Sequence, residues 1–252
     1  MNKPILIVIT GETFASISAA HGDFADWIEA GLAASPLPGL AASPLPGLAI
    51  ERFDARGAAA LPDADDYAGI VLTGSHAMVT AREPWSERLG HWLADCAARG
   101  VTPMLGICYG HQLLAQALGG EVDDRRDRRF EIGTVSIGQR AEAAGDPLFA
   151  ALPARFDAQV VHYQSVHRLP PGARLLAASD TDPCQAFRHG QACWGVQFHP
   201  EFPLPAIEQY LAILRAQPGA HGADALPPQV RLASTPEAFA LLARFARLCL
   251  TA

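Results

Sequence analysis

Met104-Leu105-Gly106-Ile107-Cys108-Tyr109-Gly110-His111-Gln112-Leu113-Leu114 decides the architecture. An apolar run ends in Gly-x-Cys-x-Gly, and an amphipathic helix starts at once. This is how a nucleophile elbow is written: a strand turns sharply into a helix and leaves one side chain exposed at its tip. Glycines at Gly106 and Gly110 permit the strained turn and the close approach of helix to strand. A cysteine at such a tip sits near a helix N-terminus, where the dipole favours thiolate.

Outward from this segment the chain alternates strand and helix. Short β-branched or apolar runs at 4–10, 48–53, 68–73 and 101–107 read as strands, and 23–34 and 85–99 read as helices. Strands separated by helices of that length form βαβ units, so the expectation is an α/β three-layer sandwich: a mainly parallel central sheet with helices on both faces. After Gly120 the texture changes. Segments 131–139, 158–162, 174–178, 184–188 and 191–197 are short, strand-like and close together, which suggests an antiparallel extension of the sheet. A helix over 203–217, a Pro- and Gly-rich connection over 220–234 and a closing helix to about 250 complete the chain. Thr235 is placed as N-cap and Pro236 as first helical residue of that last helix. The expected organisation is one domain over 1–252, with a helical extension from about 203.

Composition narrows the function classes. The chain has 252 residues, half of them hydrophobic, and a formal net charge of −7. No basic stripe suits nucleic acid or an anionic membrane. The apolar N-terminal run is too short for a signal segment or a membrane span, so a soluble cytoplasmic protein is expected. Cys96, Cys108, Cys184, Cys193 and Cys249 form neither a disulfide framework nor a zinc pattern. All but Cys108 read as small buried hydrophobes. Asp123 to Arg129 mixes both signs and reads as a solvated loop. The octapeptide at 32–39 is repeated at 40–47, which reads as a duplicated surface loop. His21-Gly22-Asp23 lies on the ligand-binding side of the first strand, although Asp23 also suits a helix cap.

The second chemical segment is Trp194-Gly195-Val196-Gln197-Phe198-His199-Pro200-Glu201. A histidine there can serve as base, and a glutamate two residues on can orient it. With Gly106-Ile107-Cys108-Tyr109-Gly110-His111-Gln112, it makes the chain resemble the class I glutamine amidotransferases with a Cys-His-Glu triad. The likeness is greatest to stand-alone proteins related to the amidotransferase domain of GMP synthase, and it extends to about residue 202. The resemblance implies a flavodoxin-like fold with Cys108 as nucleophile, His199 as general acid/base and Glu201 as its orienter. It implies an oxyanion hole built from the amide of Tyr109 and one from Gly74 or Ser75. The family commonly has two glycines and a proline in that loop; here Ser75 and His76 replace the second glycine and the proline. Gln112, and the backbone of Tyr163 and Gln164 beside His162, fall where the family holds substrate, although Tyr163 replaces a small residue.

The implied reaction is hydrolysis of the glutamine side-chain amide through a γ-glutamyl thioester, with no cofactor and no metal. The chain carries neither a Walker-type glycine loop nor a Ser-Gly-Gly-x-Asp loop, so it is not expected to be a complete GMP synthase. Three readings stay open: a glutaminase or amidotransferase working with a separate synthetase, a free-standing γ-glutamyl hydrolase or peptidase, and a non-enzymatic binding module.

Overall fold

The computed structural model of the chain describes residues 3–34, 47–219 and 222–251. Its first strand, β1 (Ile5–Ile9), is a continuous apolar run because both of its faces are covered. Ile5 and Ile7 pack on one side of the sheet, Leu6 and Val8 on the other. Then follow α1 (Ala15–His21), α2 (Phe24–Leu32), β2 (Ile50–Asp54), β3 (Gly69–Leu72), α3 (Pro84–Arg99), β4 (Met104–Ile107) and α4 (Tyr109–Ala117). The second half contains β5 (Glu121–Asp124), β6 (Glu131–Gln139), β7 (Arg155–His162), β8 (Gln164–Arg168), β9 (Arg174–Ala178), β10 (Ala186–His189), β11 (Cys193–Val196), α5 (Leu204–Ala216) and α6 (Pro236–Thr251).

The main sheet has the order β2-β1-β3-β4-β11-β10-β9-β6-β7. From β2 to β11 every pairing is parallel, and from β11 to β7 every pairing is antiparallel. Helices α2 and α6 cover one face, where Ile28, Leu32, Leu241 and Phe245 join the side chains of Ile5 and Ile7. Helices α3 and α4 cover the other, with Leu89, Leu93, Leu113 and Leu114 against Leu6 and Val8. This is the expected α/β sandwich with its antiparallel extension. No described helix is long and apolar enough to cross a membrane.

Three features differ from the sequence reading. Helix α1 carries no clear sequence signal, because it is short, buries only Ile17 and lacks a side-chain cap. Strands β5 and β8 pair as a separate antiparallel ribbon, since β8 departs from the main sheet directly after His162. The Asp123–Arg129 stretch is not simply a solvated loop. Arg125 is buried and its guanidinium lies 3.9 Å from Glu131 and 3.8 Å from Asp182. Asp23 does cap α2, in a capping box with Asp26. Most of the octapeptide repeat falls outside the described residues.

Glycine at the elbow is required by contact. A Cβ on Gly106 would fall 2.4 Å from the Gly110 carbonyl oxygen, and one on Gly110 would fall 2.6 Å from Leu72 Cβ. Backbone cannot give way as a side-chain tip can. Gly106→Ala is therefore expected to destabilise the fold by about 3 kcal/mol, at the upper end of overpacking costs. Urea denaturation of the variant beside the parent measures this, and an unchanged midpoint would contradict the packing.

Candidate active site

Cys108 occupies the tip between β4 and α4 with φ 50° and ψ −100°. A side-chain-bearing residue in that region is strained, and such strain concentrates at functional positions. The neighbouring strand explains what stands beside it. β11 pairs in parallel with β4, Val196 opposite Ile107, and the Cys108 amide donates to Val196 O at 2.9 Å. The chain leaving β11 must therefore pass the elbow, and His199 lies on it. The His199 amide is fixed by donation to Gln159 O at 2.8 Å.

His199 Nδ1 lies 2.7 Å from Glu201 Oε1, and both side chains are buried. Burial alone would discharge the ring. The carboxylate of Glu201 and the nearby Cys108 outweigh it and hold the His199 pKa well above the ordinary histidine value. Phe202 stacks on the ring at 4.1 Å between centroids, and Phe24, itself stacked on Phe202 at 5.7 Å, lies 6.1 Å from it. His199 Nε2 and Glu201 Oε2 make no hydrogen bond among the described residues. The Cys108 thiol lies 3.7 Å from Val161 O. Cys108 is thus near enough to His199 to help raise its pKa.

The loop after β3 closes the third side. A Cβ on Gly74 would fall 2.9 Å from His199 Cε1, so any larger residue there would push the His199 ring from its place. Thr10 and Thr73 tie the loop to the end of β1: the Thr10 hydroxyl donates to Thr73 O at 2.9 Å and to Gly74 O at 3.1 Å. With the Gly74 carbonyl turned toward Thr10, the Ser75 amide in the same trans peptide points the opposite way. His76 is hydrogen-bonded through Nε2 to the Tyr210 hydroxyl of α5. Phe14 packs on both rings, at 4.6 Å and 4.8 Å between centroids.

A cavity of about 240 Å³ opens over Cys108. Gln112, His162, Tyr163 and Gln164 all line it, as do Ser75 and His76. The polar groups among them are engaged within the protein. The Gln112 amide nitrogen donates to Gln164 O at 2.8 Å and to Gln197 Oε1 at 3.0 Å. His162 Nε2 lies 2.7 Å from Glu131 Oε2 and its Nδ1 2.9 Å from Gln164 O. The Gln164 amide nitrogen donates to Asp124 Oδ1 at 3.0 Å and also to the Thr80 hydroxyl. Glu131, His162 and Asp182 offer ligand-type atoms within 4.8 Å of one another. The Arg125 guanidinium shares that space and balances their charge. The sequence reading does not single out Phe14, Phe202, Tyr210 or Leu214. Only Phe202, next to Glu201, carries a local signal; the others come from segments with no chemical motif of their own.

Comparison with known proteins gives the family and the fold. A family model described as glutamine amidotransferase class-I matches residues 48–212. The glutamine-hydrolysing GMP synthase of Thermomicrobium roseum is 40% identical over 133 residues, covering 53% of this chain and 23% of that protein. One subunit of the glutamine-hydrolysing GMP synthase of Pyrococcus furiosus is 43% identical over 100 residues, covering 39% of this chain and 50% of that one. The chain thus spans half or less of the length of these two relatives. Among solved structures, a glutamine amidotransferase from Methylobacillus flagellatus superposes with a TM-score of 0.69 at 23% identity. That match covers 100% of this chain and 94% of the other, and at this identity it speaks for the fold.

Proposed function

The chain belongs to the class I glutamine amidotransferase family, and from that premise we propose that it hydrolyses the side-chain amide of glutamine through a thioester on Cys108. The observation that carries this reading is the convergence of Cys108, the His199–Glu201 pair and Gly74 at one end of the parallel strands. The Cys108 sulfur turns from Val161 O toward His199 and acts as thiolate, the proton of the pair being held on His199 Nε2. Sulfur attacks the amide carbon, and the oxyanion is met by the amides of Tyr109 and Ser75. His199 returns the proton to the leaving nitrogen as the C–N bond breaks, and ammonia departs. His199 then takes a proton from water, which attacks the thioester and frees glutamate. Gln112 acts by holding Gln164 and Gln197 in register. The backbone of Tyr163 and Gln164, stiffened by His162, borders the amino-acid end of the substrate.

The whole of 1–252 acts as one domain in this reading. Support comes from α6, which packs on α2 in the main core, and from α5, which supplies a wall of the cavity. Ammonia passes to a separate acceptor or synthetase, as the names of the relatives suggest. A second reading, a free-standing γ-glutamyl hydrolase, is favoured by one feature. The loop 73–76 is tied by the chain's own Thr10 and Tyr210, so it needs no partner to set it.

The test is release of ammonia and glutamate in equal amounts by the purified chain given glutamine. Turnover that rises at least about 100-fold on adding cell extract would favour a partner that sets an oxyanion donor. Full turnover alone would favour the hydrolase, and no release under either condition would refute the proposal.

A further inference from the structure

The cavity over Cys108 presents a largely apolar lining. Among the described residues that line it, none is Asp, Glu, Lys or Arg. Its polar side chains are largely spent on one another, as described above. What remains facing the space is apolar: Phe14, Met78, Phe130, Tyr210 and Leu214.

The apolar wall has a side. His199 must hand its proton to the leaving nitrogen, so the leaving group lies toward His199. From His199 the aromatic contacts run through Phe202, 4.1 Å away, to Tyr210 at 6.0 Å and on to Phe14 at 4.8 Å. The His76 ring closes this group against Phe14 and Tyr210. Tyr163 and Phe130 pack on each other, 5.4 Å apart. An aromatic wall on the leaving-group side has nothing to bind when the leaving group is ammonia.

We infer that the site takes γ-glutamyl amides whose amide nitrogen bears an apolar or aromatic group, seated against Phe14 and Tyr210. This rests on the hydrolase reading above and names its substrate class. Sulfur bonds to the carbonyl carbon, the C–N bond breaks, His199 protonates the departing amine, and water converts the thioester to glutamate. The free amine leaves in place of ammonia. An acidic amine would be rejected, because the wall offers no cation to meet it.

The purified chain is given glutamine, γ-glutamyl-phenethylamide and γ-glutamyl-glutamate, with glutamate release as the readout. The expected result is a kcat/KM for the phenethylamide at least about tenfold above that for glutamine, the minimum worth of added apolar contact in such a pocket. The acidic dipeptide should be the poorest of the three. Phe14→Ala and Phe14→Ser should each lower the ratio of phenethylamide to glutamine, and Phe14 is only partly buried, so both variants are expected to fold. Glutamine cleaved as well as the phenethylamide would overturn this inference and leave the amidotransferase intact. So would a ratio unmoved by both variants, or good cleavage of the acidic dipeptide. Failure to cleave any of the three would sink the proposed function and this inference with it.

Discussion

Cys108→Ala is expected to abolish ammonia release from glutamine, a fall of about 10⁶-fold in kcat, because a triad acts as a unit and no other group can form the thioester. The other cysteines offer no substitute. Cys184, Cys193 and Cys249 are buried, and desolvation pushes all three thiols up, the last two to about 12. They stay protonated and inert at neutral pH. The loss should not come from unfolding. Alanine keeps the Cβ, and the site already tolerates a side-chain-bearing residue at φ 50°. That strain gives a second readout. Cys108→Gly should be more stable than Cys108→Ala by about 1 kcal/mol, since glycine alone relaxes at positive φ. Steady-state ammonia release and thermal melting of the two variants check both halves. Activity near the parent level in Cys108→Ala would refute the mechanism.

How much of this is legible in the sequence depends on whether the determinant is local. The elbow is legible because Gly106 answers a contact within a few residues, the Gly110 carbonyl. The parallel half of the sheet is legible because β1, β3 and β4 are buried on both faces and so read as unbroken apolar runs. The pairing of Glu201 with His199 is legible for the same reason, two residues apart on one turn. The ties that fix the loop 73–76 are not. Thr10 meets Thr73 across 63 positions, and His76 meets Tyr210 across 134. Nothing in Tyr210 distinguishes it from the other apolar residues of α5 until the helix is docked. Arg125 escapes the sequence for a related reason. In a run of mixed charges one arginine looks like its neighbours, and only Glu131, Asp182 and the pairing of β5 with β8 draw it inward. The replacement of proline by His76 reads in sequence as a loop histidine at the rim of the site. The structure gives His76 a hydrogen-bond partner in α5.

Glu201→Gln is expected to lower kcat by about 10³–10⁴-fold while leaving measurable turnover, since the orienter is not a reacting atom. The variant changes two things at once. The glutamine amide can present its NH₂ rather than its oxygen to His199 Nδ1, which favours the wrong tautomer. It also removes a full negative charge 2.7 Å from the ring in a buried site. The charge has a direction that can be tested. Burial works against the imidazolium, and Glu201 is the first of the groups that outweigh it. Without the carboxylate, His199 loses its proton at lower pH. The alkaline limb of the kcat/KM profile, which reports loss of the imidazolium needed to protonate the leaving nitrogen, should therefore move to lower pH. A purely structural role for Glu201 would reduce the rate without moving that limb. Profiles of the parent and Glu201→Gln with glutamine decide the matter. If the limb stays in place while the rate falls, Glu201 holds the turn after Pro200 and does not tune the ring.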